Sequence, residues 1–395
     1  MSQTTSTGKS FSAQAIVVGA GLVGLAAATA LAKTGLEVIH LAPKAPPDRR
    51  TSALMGPSVT ILKDLDLVQN PDELGTPLKK IRIIDATKRL IRAPEALFDS
   101  CELGEDAFGV NFANAKLSSQ FAGQGKNLKN LKKIAASATR LERKDGVWTI
   151  ELSNHATISA PLIVGADGKN SLVRRTSGIA AREHRYKQSA LVCDLELEIP
   201  LNGVSVEFHY ENGPFTLVPA GGLSANLVWI DNDQNLQKLK SASRATIRNA
   251  IEEKSQNLYG KIAMKSASFV FPLVSLEAET AGKDGVVLLG EAAHAFPPIG
   301  AQGLNLGLRD VADLIKSIKQ TTQDTDNWAE TISYDYAKRR KRDIARTTIM
   351  VNTLFKSLLS DMVPAQILRA GSIWALKTIS PLRKKAFRLG MNPAS

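Results

Sequence analysis

Residues 15–24 read Ala15-Ile-Val-Val-Gly-Ala-Gly-Leu-Val-Gly24, and helix formers follow to Ala32 before Gly35 interrupts them. Leu36-Glu-Val-Ile-His-Leu-Ala42 then reads as a second apolar strand. Strand, helix and strand in this order form a βαβ unit, with Gly19, Gly21 and Gly24 at the spacing a pyrophosphate requires. Gly19 allows the tight turn, Gly21 lets the backbone approach the phosphates, and Gly24 lets helix pack on strand. The positive end of the helix then faces the anion. The run 15–32 is also nearly long enough to cross a bilayer. Its glycines cluster at one end, Lys33 follows, and residues 1–14 are polar with one Lys and no signal-peptide layout. The dinucleotide reading therefore prevails over a membrane span. A ribose-binding acid is expected at the end of the second strand. That place falls on Ala42, with Glu37 at the strand's start and His40 inside it.

Working outward, a chain of 395 residues is long for one core and predicts one large or two interlocked domains. A hydrophobic content of 44% and a charged content of 22% describe a globular protein. Cys101 and Cys193 lie far apart and outside any CxxC, which argues against a structural metal site or a disulfide framework. The formal charge of +12 is uneven: residues 331–395 hold 13 Lys and Arg against 3 Asp and Glu. Basic tails meet nucleic acid or anionic membrane. No zinc motif or aromatic-rich RNA signature accompanies this one, so nucleic acid is excluded as a partner. Leu354, Phe355, Leu358, Leu359, Ile373, Trp374, Leu376 and Ile379 mix with its charges, as in an amphipathic surface helix. Such a helix packs on the main body or touches a membrane.

The expected fold class is α/β: a Rossmann-like domain interrupted by an antiparallel-sheet domain, with a helical C-terminus. A Pro-rich turn (Pro43, Pro46, Pro47) follows the first unit, then a helix over 59–67. Residues 81–85 and 89–91 predict a short hairpin, 113–121 a helix and 147–152 an outer strand. From 190 the pattern alternates, which predicts strands at 190–199, 204–210, 215–218, 225–230 and 268–271, with one helix at 245–258. Short turns between these strands imply antiparallel pairing. The resulting division assigns 1–75, 100–180 and 272–330 to a discontinuous cofactor domain. It assigns 76–99 and 181–271 to a substrate domain and 331–395 to the basic tail.

Two further segments carry chemistry. Leu162-Ile-Val-Gly-Ala-Asp-Gly-Lys-Asn-Ser-Leu-Val-Arg174 ends a buried strand at Gly165 and sets Asp167 at its carboxyl edge, where ligands bind in open α/β sheets. By itself Asp167-Gly168 is an ordinary turn. Val286-Val-Leu-Leu-Gly-Glu-Ala-Ala-His-Ala-Phe-Pro-Pro-Ile-Gly-Ala-Gln-Gly-Leu-Asn-Leu-Gly-Leu-Arg-Asp310 ends another strand at Gly290-Glu291. Its stiff Pro297-Pro298 loop and Gly300 and Gly303 lead to Asn305, placed to cap or enter a helix and to aim backbone N–H groups at an electron-rich ligand edge. The histidines form no ligand or triad pattern.

In this order and spacing the three segments resemble the flavoprotein aromatic hydroxylases, and within them the ubiquinone-biosynthesis branch. Gln302-Gly-Leu-Asn-Leu-Gly-Leu-Arg-Asp310 is close to that branch's signature, and Arg50-Thr-Ser-Ala-Leu54 resembles its Arg-x-x-Ala segment. Phe108-Gly-Val110 with Asn114 and Leu117, and Gly213-Pro-Phe215 through Pro219, fit as well. The resemblance implies an FAD-dependent monooxygenase that uses NAD(P)H and O₂, through a flavin hydroperoxide, to hydroxylate a polyprenylated phenol. It implies that Gly19, Gly21 and Gly24 hold the FAD pyrophosphate and that Arg50 lies by the cofactor. Asp167 belongs to the cofactor and nicotinamide region, and Glu291 stands in the place of an Asp on the ribityl chain. The backbone of Gln302, Gly303, Leu304 and Asn305 faces the isoalloxazine, and His294 is structural.

A cytoplasmic enzyme at the inner-membrane surface, within a multiprotein complex, follows from the same resemblance. Deletion after Pro364 is then expected to end membrane association and spare the fold. A monooxygenase of soluble phenols and a weakly FAD-binding accessory protein are the other readings. The departures bear on the last of these. Ala42 replaces the ribose-binding Glu, Glu291 is one methylene longer than Asp, Pro297 stands for His, and Ala301 stands for Gly. Loss of one charged hydrogen-bond partner costs about 1.5–3 kcal/mol, which predicts weakened FAD binding.

Overall fold

The computed structural model describes residues 10–44 and 48–391; Pro46 and Pro47 of the expected turn lie outside them. Strand Ala15–Val18 is buried on both faces, which is why it reads as an unbroken apolar run. It sits inside a six-stranded sheet ordered Gly282–Lys283, Val286–Leu288, Leu162–Gly165, Ala15–Val18, Val38–Leu41, Leu131–Ile134. All neighbours are parallel except the first pair. Three strands with glycine-rich ends, 270 residues apart in the chain, thus lie side by side and open onto one edge. Helix Leu22–Lys33 covers the sheet and is itself almost wholly buried, which its alanines permit. A four-stranded sheet containing Val147–Leu152 backs the other face through Trp148, Ile150 and Leu152.

A nine-stranded sheet forms the second body: His294–Ala295, Phe269–Ala278, Ala181–Leu197, Ser224–Asn232, Gly213–Pro219, Val204–Tyr210, Lys80–Asp85 and Ala96–Asp99 in order, with Ile262–Met264 paired to Ala181–Leu197. One face buries Leu191, Cys193, Phe208, Phe215, Leu227 and Trp229 beneath helices Asp233–Lys240 and Arg244–Lys254. The helix expected at 245–258 forms as Arg244–Lys254, which Ser243 caps by accepting from Thr246 N–H at 3.1 Å, and a further helix, Asp233–Lys240, precedes it and ends at Ser241. Lys80–Asp85 pairs with Ala96–Asp99 rather than with 89–91, since Asp85 Oδ2 accepts from Ala93 N–H and folds the intervening loop. Its other neighbour, Val204–Tyr210, is parallel, so the sheet is mixed. The boundary expected at 272 falls within strand Phe269–Ala278. Thr76–Leu78 joins Thr51–Met55 and Gly109–Ala113 in a separate three-stranded sheet.

Helices Gln302–Gln320 and Trp328–Leu359 close the first body. Helices Val363–Thr378 and Ser380–Met391 then pack on the edge of the large sheet through Ile373, Leu376 and Phe387. Phe387 lies 5.0 Å from both Phe98 and Phe108. Truncation after Pro364 would therefore strip apolar cover from the sheet, and the expectation that it spares the fold is corrected. Among the described residues, no helix is long and apolar enough to cross a membrane.

Candidate cofactor and substrate site

The site begins at the turn after Ala15–Val18. Gly19 has φ +142°, and a Cβ there would stand 2.0 Å from the Ala166 carbonyl oxygen on the neighbouring strand end. A Cβ on Gly24 would stand 2.5 Å from the Gly19 carbonyl oxygen. These glycines weld turn, helix and second strand end together. Gly21 differs: nothing lies within 4 Å of where its Cβ would be, and it precedes helix Leu22–Lys33 with no side chain capping that end. Its free N–H groups and open space suit an anion. Gly19, Gly21, Leu41, Pro43, Asp167 and Gly168 line one cleft there.

The third segment meets the same helix on its other side. A Cβ on Gly307 would stand 2.6 Å from Val23 Cγ2, and one on Gly290 would stand 3.3 Å from it. Asp310 fastens this turn from below. Fully buried, it accepts from Gly290 N–H at 2.9 Å, His294 Nε2 at 2.7 Å and Arg340 Nε at 2.8 Å. Burial alone would raise its pKa, but the charges of His294 and Arg340 outweigh that and hold it at about 2. His294 is thus committed to the fold.

Arg50 forms a two-pronged pair with Asp48, at 2.9 and 2.8 Å, which raises its pKa, and the charge of Glu291 adds to that. Asp48 also accepts from Asn114 Nδ2, and Asn114 Oδ1 accepts from the Ser52 hydroxyl. Half-burial pushes the Asp48 carboxyl up, but hydrogen bonds from Arg50 and Asn114 bring it down to about 2. Asp48 escaped the sequence reading; its place two residues before Arg50 was the available signal. Asn305 lies inside the first turn of helix Gln302–Gln320, with Ala301 as the cap. Its amide accepts from Met55 N–H at 2.8 Å and donates to the Ala53 carbonyl at 2.9 Å, which clamps the Arg50 segment to the glycine-rich loop. Its side chain is used up in that clamp. Gly303 and Gly21 alike have open space around them. Leu304 is half-buried against the core, and Gln302 is buried and donates to the Gly300 and Gly390 carbonyls. Its Oε1 has no partner.

Asp167 turns inward: Oδ1 accepts from the Ser171 hydroxyl, and Oδ2 accepts from Leu172 and Val173 N–H at 2.7 and 3.2 Å. It lines the cleft while spending its charge on the next helix. His40 was a lone polar residue in an apolar strand. Its Nε2 donates to the Gly19 carbonyl at 2.8 Å, and burial lowers its pKa, so the neutral ring is a clamp on the turn. These glycine turns and open helix ends fit FAD. Among the described residues lining the cleft, Asp167 is the only carboxylate, and Ala42 offers none to a ribose.

Ala301 adopts φ +55°, ψ 29°, a left-handed conformation that disfavours a Cβ. Ala301→Gly is expected to stabilise the protein by about 1 kcal/mol, seen as a higher urea midpoint. An unchanged or lower midpoint would show that the loop carries no such strain.

The large sheet supplies the opposite wall. On the face away from its two helices, register aligns Ile83, Glu207, Thr216, Val228, Val192 and Phe269 in one row. All are at least partly exposed. One flank is closed by Ala190, Ile230 and Ile299 against Phe355 and Leu358. The other is tied to the small sheet by Asn111 Nδ2 donating to Asn226 Oδ1 at 2.9 Å. An apolar strip with one carboxylate therefore lies open between two closures. That carboxylate, Glu207, accepts from His209 Nε2 at 2.7 Å.

The family described as FAD binding domain matches residues 12–350. The 3-demethoxyubiquinol 3-hydroxylase of Escherichia coli K12 is 27% identical over 95% of this chain and 97% of its own length. The ubiquinone hydroxylase UbiL of Rhodospirillum rubrum is 28% identical over 96% and 89%. Among solved structures, p-nitrophenol 4-monooxygenase PnpA from Pseudomonas putida superposes with TM-score 0.78 at 19% identity, covering 97% of this chain and 99% of that one. Klebsiella pneumoniae HpxO, solved with FAD and uric acid, gives 0.77 at 16% identity over 98% of both chains. The relatives named for ubiquinone hydroxylation match the branch that the motifs resemble, and the chain belongs to the FAD binding domain family.

Proposed function

We propose that this protein hydroxylates the aromatic ring of a polyprenylated phenol in ubiquinone biosynthesis, with NAD(P)H and O₂ as co-substrates. The observation that carries this reading is the end-to-end match to a hydroxylase named for that ring chemistry, across both the cleft and the sheet. Bound FAD supplies the redox and oxygen-transfer chemistry. The chain's own residues bind, orient and exclude water. Gly21 and the free N–H groups of its helix would seat the pyrophosphate in the turn that Gly19 and Gly24 shape, Arg50, Asp167 and Glu291 would flank the cofactor, and backbone N–H groups at 302–305 would stabilise charge on its ring. The half-open row from Ile83 to Phe269 receives the substrate, and Glu207 accepts the hydrogen bond of its ring hydroxyl, which makes the ring more electron-rich. A place at the membrane surface and in a multiprotein complex belongs to the same proposal.

Quinone profiling after gene deletion tests it: a ring-intact intermediate lacking one hydroxyl should accumulate, and an unchanged quinone pool would reject the function. Glu207→Gln is expected to lower kcat about a hundredfold with little change in KM. Steady-state kinetics with an unaltered kcat would remove Glu207 from the chemistry. Ala42→Glu restores a ribose partner and is expected to tighten FAD binding about tenfold or more. A fluorescence titration showing equal affinity would mean that the site has compensated elsewhere, and that Ala42 does not mark a protein losing its flavin.

A further inference from the structure

We propose that the C-terminal helical pair, Val363–Thr378 and Ser380–Met391, docks flat on an anionic phospholipid surface at the mouth of the substrate row. Polar contacts anchor the pair on the protein beside the apolar ones of Ile373, Leu376 and Phe387. Its hydrogen-bonding side chains face the protein: buried Gln366 accepts from Ile91 N–H at 3.2 Å and donates to the Asp361 carbonyl at 2.8 Å. Buried Arg369 donates to the Ser357 carbonyl at 2.8 Å, and Arg383 pairs with Glu102. The outward side carries an apolar stripe. Val363, Ile367 and Trp374 follow one helical stripe, and Ile367, Leu368 and Trp374 are 54, 71 and 57% exposed. Leu382 and Leu389 continue the exposed apolar surface on the second helix. A helical pair whose inner apolar side is already packed and which also turns isoleucine, leucine and tryptophan outward needs an apolar partner.

Charge decides which partner. Residues 362–391 contain six Lys and Arg and no Asp or Glu. Lys377, Lys384, Lys385 and Arg388 are exposed beside the apolar stripe. A second copy of the chain would bring like charge to like charge. An anionic bilayer supplies hydrocarbon and counter-charge together, with Trp374 suited to the interface.

The inner side of the pair reaches the site. Phe387 packs with Phe98 and Phe108, in a cluster that also takes in Ile83, the first residue of the half-open row. The Gly390 carbonyl accepts from Gln302 at the start of the glycine-rich helix. Docking here sets the row's edge against lipid, where an isoprenoid tail would enter. That consequence rests on the proposed substrate; the docking itself does not.

The test uses the full-length protein and vesicles without substrate: phosphatidylcholine alone, or with about 30 mol% phosphatidylglycerol. Co-sedimentation is expected only with the anionic vesicles and is expected to weaken in high salt. Lys384→Glu with Lys385→Glu should weaken binding about 25-fold or more, at roughly fivefold per lost cation. Ile367→Ser with Trp374→Ser should weaken it while leaving the thermal midpoint unchanged. Absence of binding to anionic vesicles would overturn the proposal, as would equal binding to neutral ones. So would a dimer in sedimentation velocity that the Trp374→Ser variant dissolves. Vesicle binding in a protein whose deletion leaves quinones unchanged would reject the hydroxylase function and keep the docking surface.

Discussion

Gly19→Ala is expected to destroy the cofactor domain, whereas Gly21→Ala, two residues on, is expected to spare the fold and lose the flavin. The contrast follows from what each methyl would meet. At Gly19 it would stand 2.0 Å from the Ala166 carbonyl oxygen, with φ at +142°. That backbone region belongs essentially to glycine and costs other residues about 1–3 kcal/mol, and forced overlap in a packed core adds about 1–3 kcal/mol. Neither side can yield, because Ala166 N–H is bonded to the Val18 carbonyl and His40 holds the Gly19 carbonyl. A total of about 3 kcal/mol or more is a large part of a domain's stability of roughly 5–15 kcal/mol. At Gly21 the methyl meets no protein atom within 4 Å and φ is −75°, so stability should hold within about 0.5 kcal/mol. The methyl instead fills the open space before helix Leu22–Lys33, where the proposed pyrophosphate seat lies. Urea midpoints and flavin absorbance per protein separate the two variants. A Gly21→Ala protein that keeps its full flavin would show that the cofactor does not approach this turn.

The difference between these glycines was legible in the sequence only in part. Spacing announces a turn, an approach and a packing contact, because each requires a missing Cβ and the intervals are fixed by one helical turn. The parallel core was legible for a related reason: Ala15–Val18, Leu162–Gly165 and Val286–Leu288 are apolar on both faces, as only sheets covered on both sides demand. What the side chains do once folded was hidden. Asp167 looks like a ligand by position, yet its oxygens are taken by Ser171, Leu172 and Val173. Arg50 looks free, yet Asp48 holds both prongs. The C-terminal helical pair was likewise ambiguous, since composition shows that apolar and basic residues mix but not which side faces the protein. Pairing of Lys80–Asp85 with Val204–Tyr210 joins segments far apart in the chain, and no local pattern announces it.

Arg340→Met is expected to cost about 3–5 kcal/mol and to loosen the third turn of the cofactor cleft, because it removes the one cation shared by three carboxylates. Arg340 contacts Asp310 at 2.8 Å, Asp313 at 2.9 Å and Asp343 at 2.7 Å, all from helices Gln302–Gln320 and Trp328–Leu359. Burial lowers its pKa, but the carboxylates around it raise it further, so it stays charged. Met keeps most of the volume, so the loss reports stranded charge and not a cavity. Acid provides the confirming sign. Asp310 sits at about 2 in the folded protein against 3.8 ordinarily, so its contribution is complete above about pH 4 and is lost as the pH falls toward 2. The wild-type urea midpoint should therefore drop as the pH falls from about 4 toward about 2, and the variant, which keeps only His294 beside Asp310, should drop less over that window. Gly290 N–H hangs on the same carboxylate, and Glu291 follows it directly. A weakened Asp310 thus carries through to the cleft, and the variant should lose flavin before it unfolds. Equal stability of Arg340→Met and wild type would place the hold on this turn elsewhere, in the packing of Gly290 and Gly307 on Val23 alone.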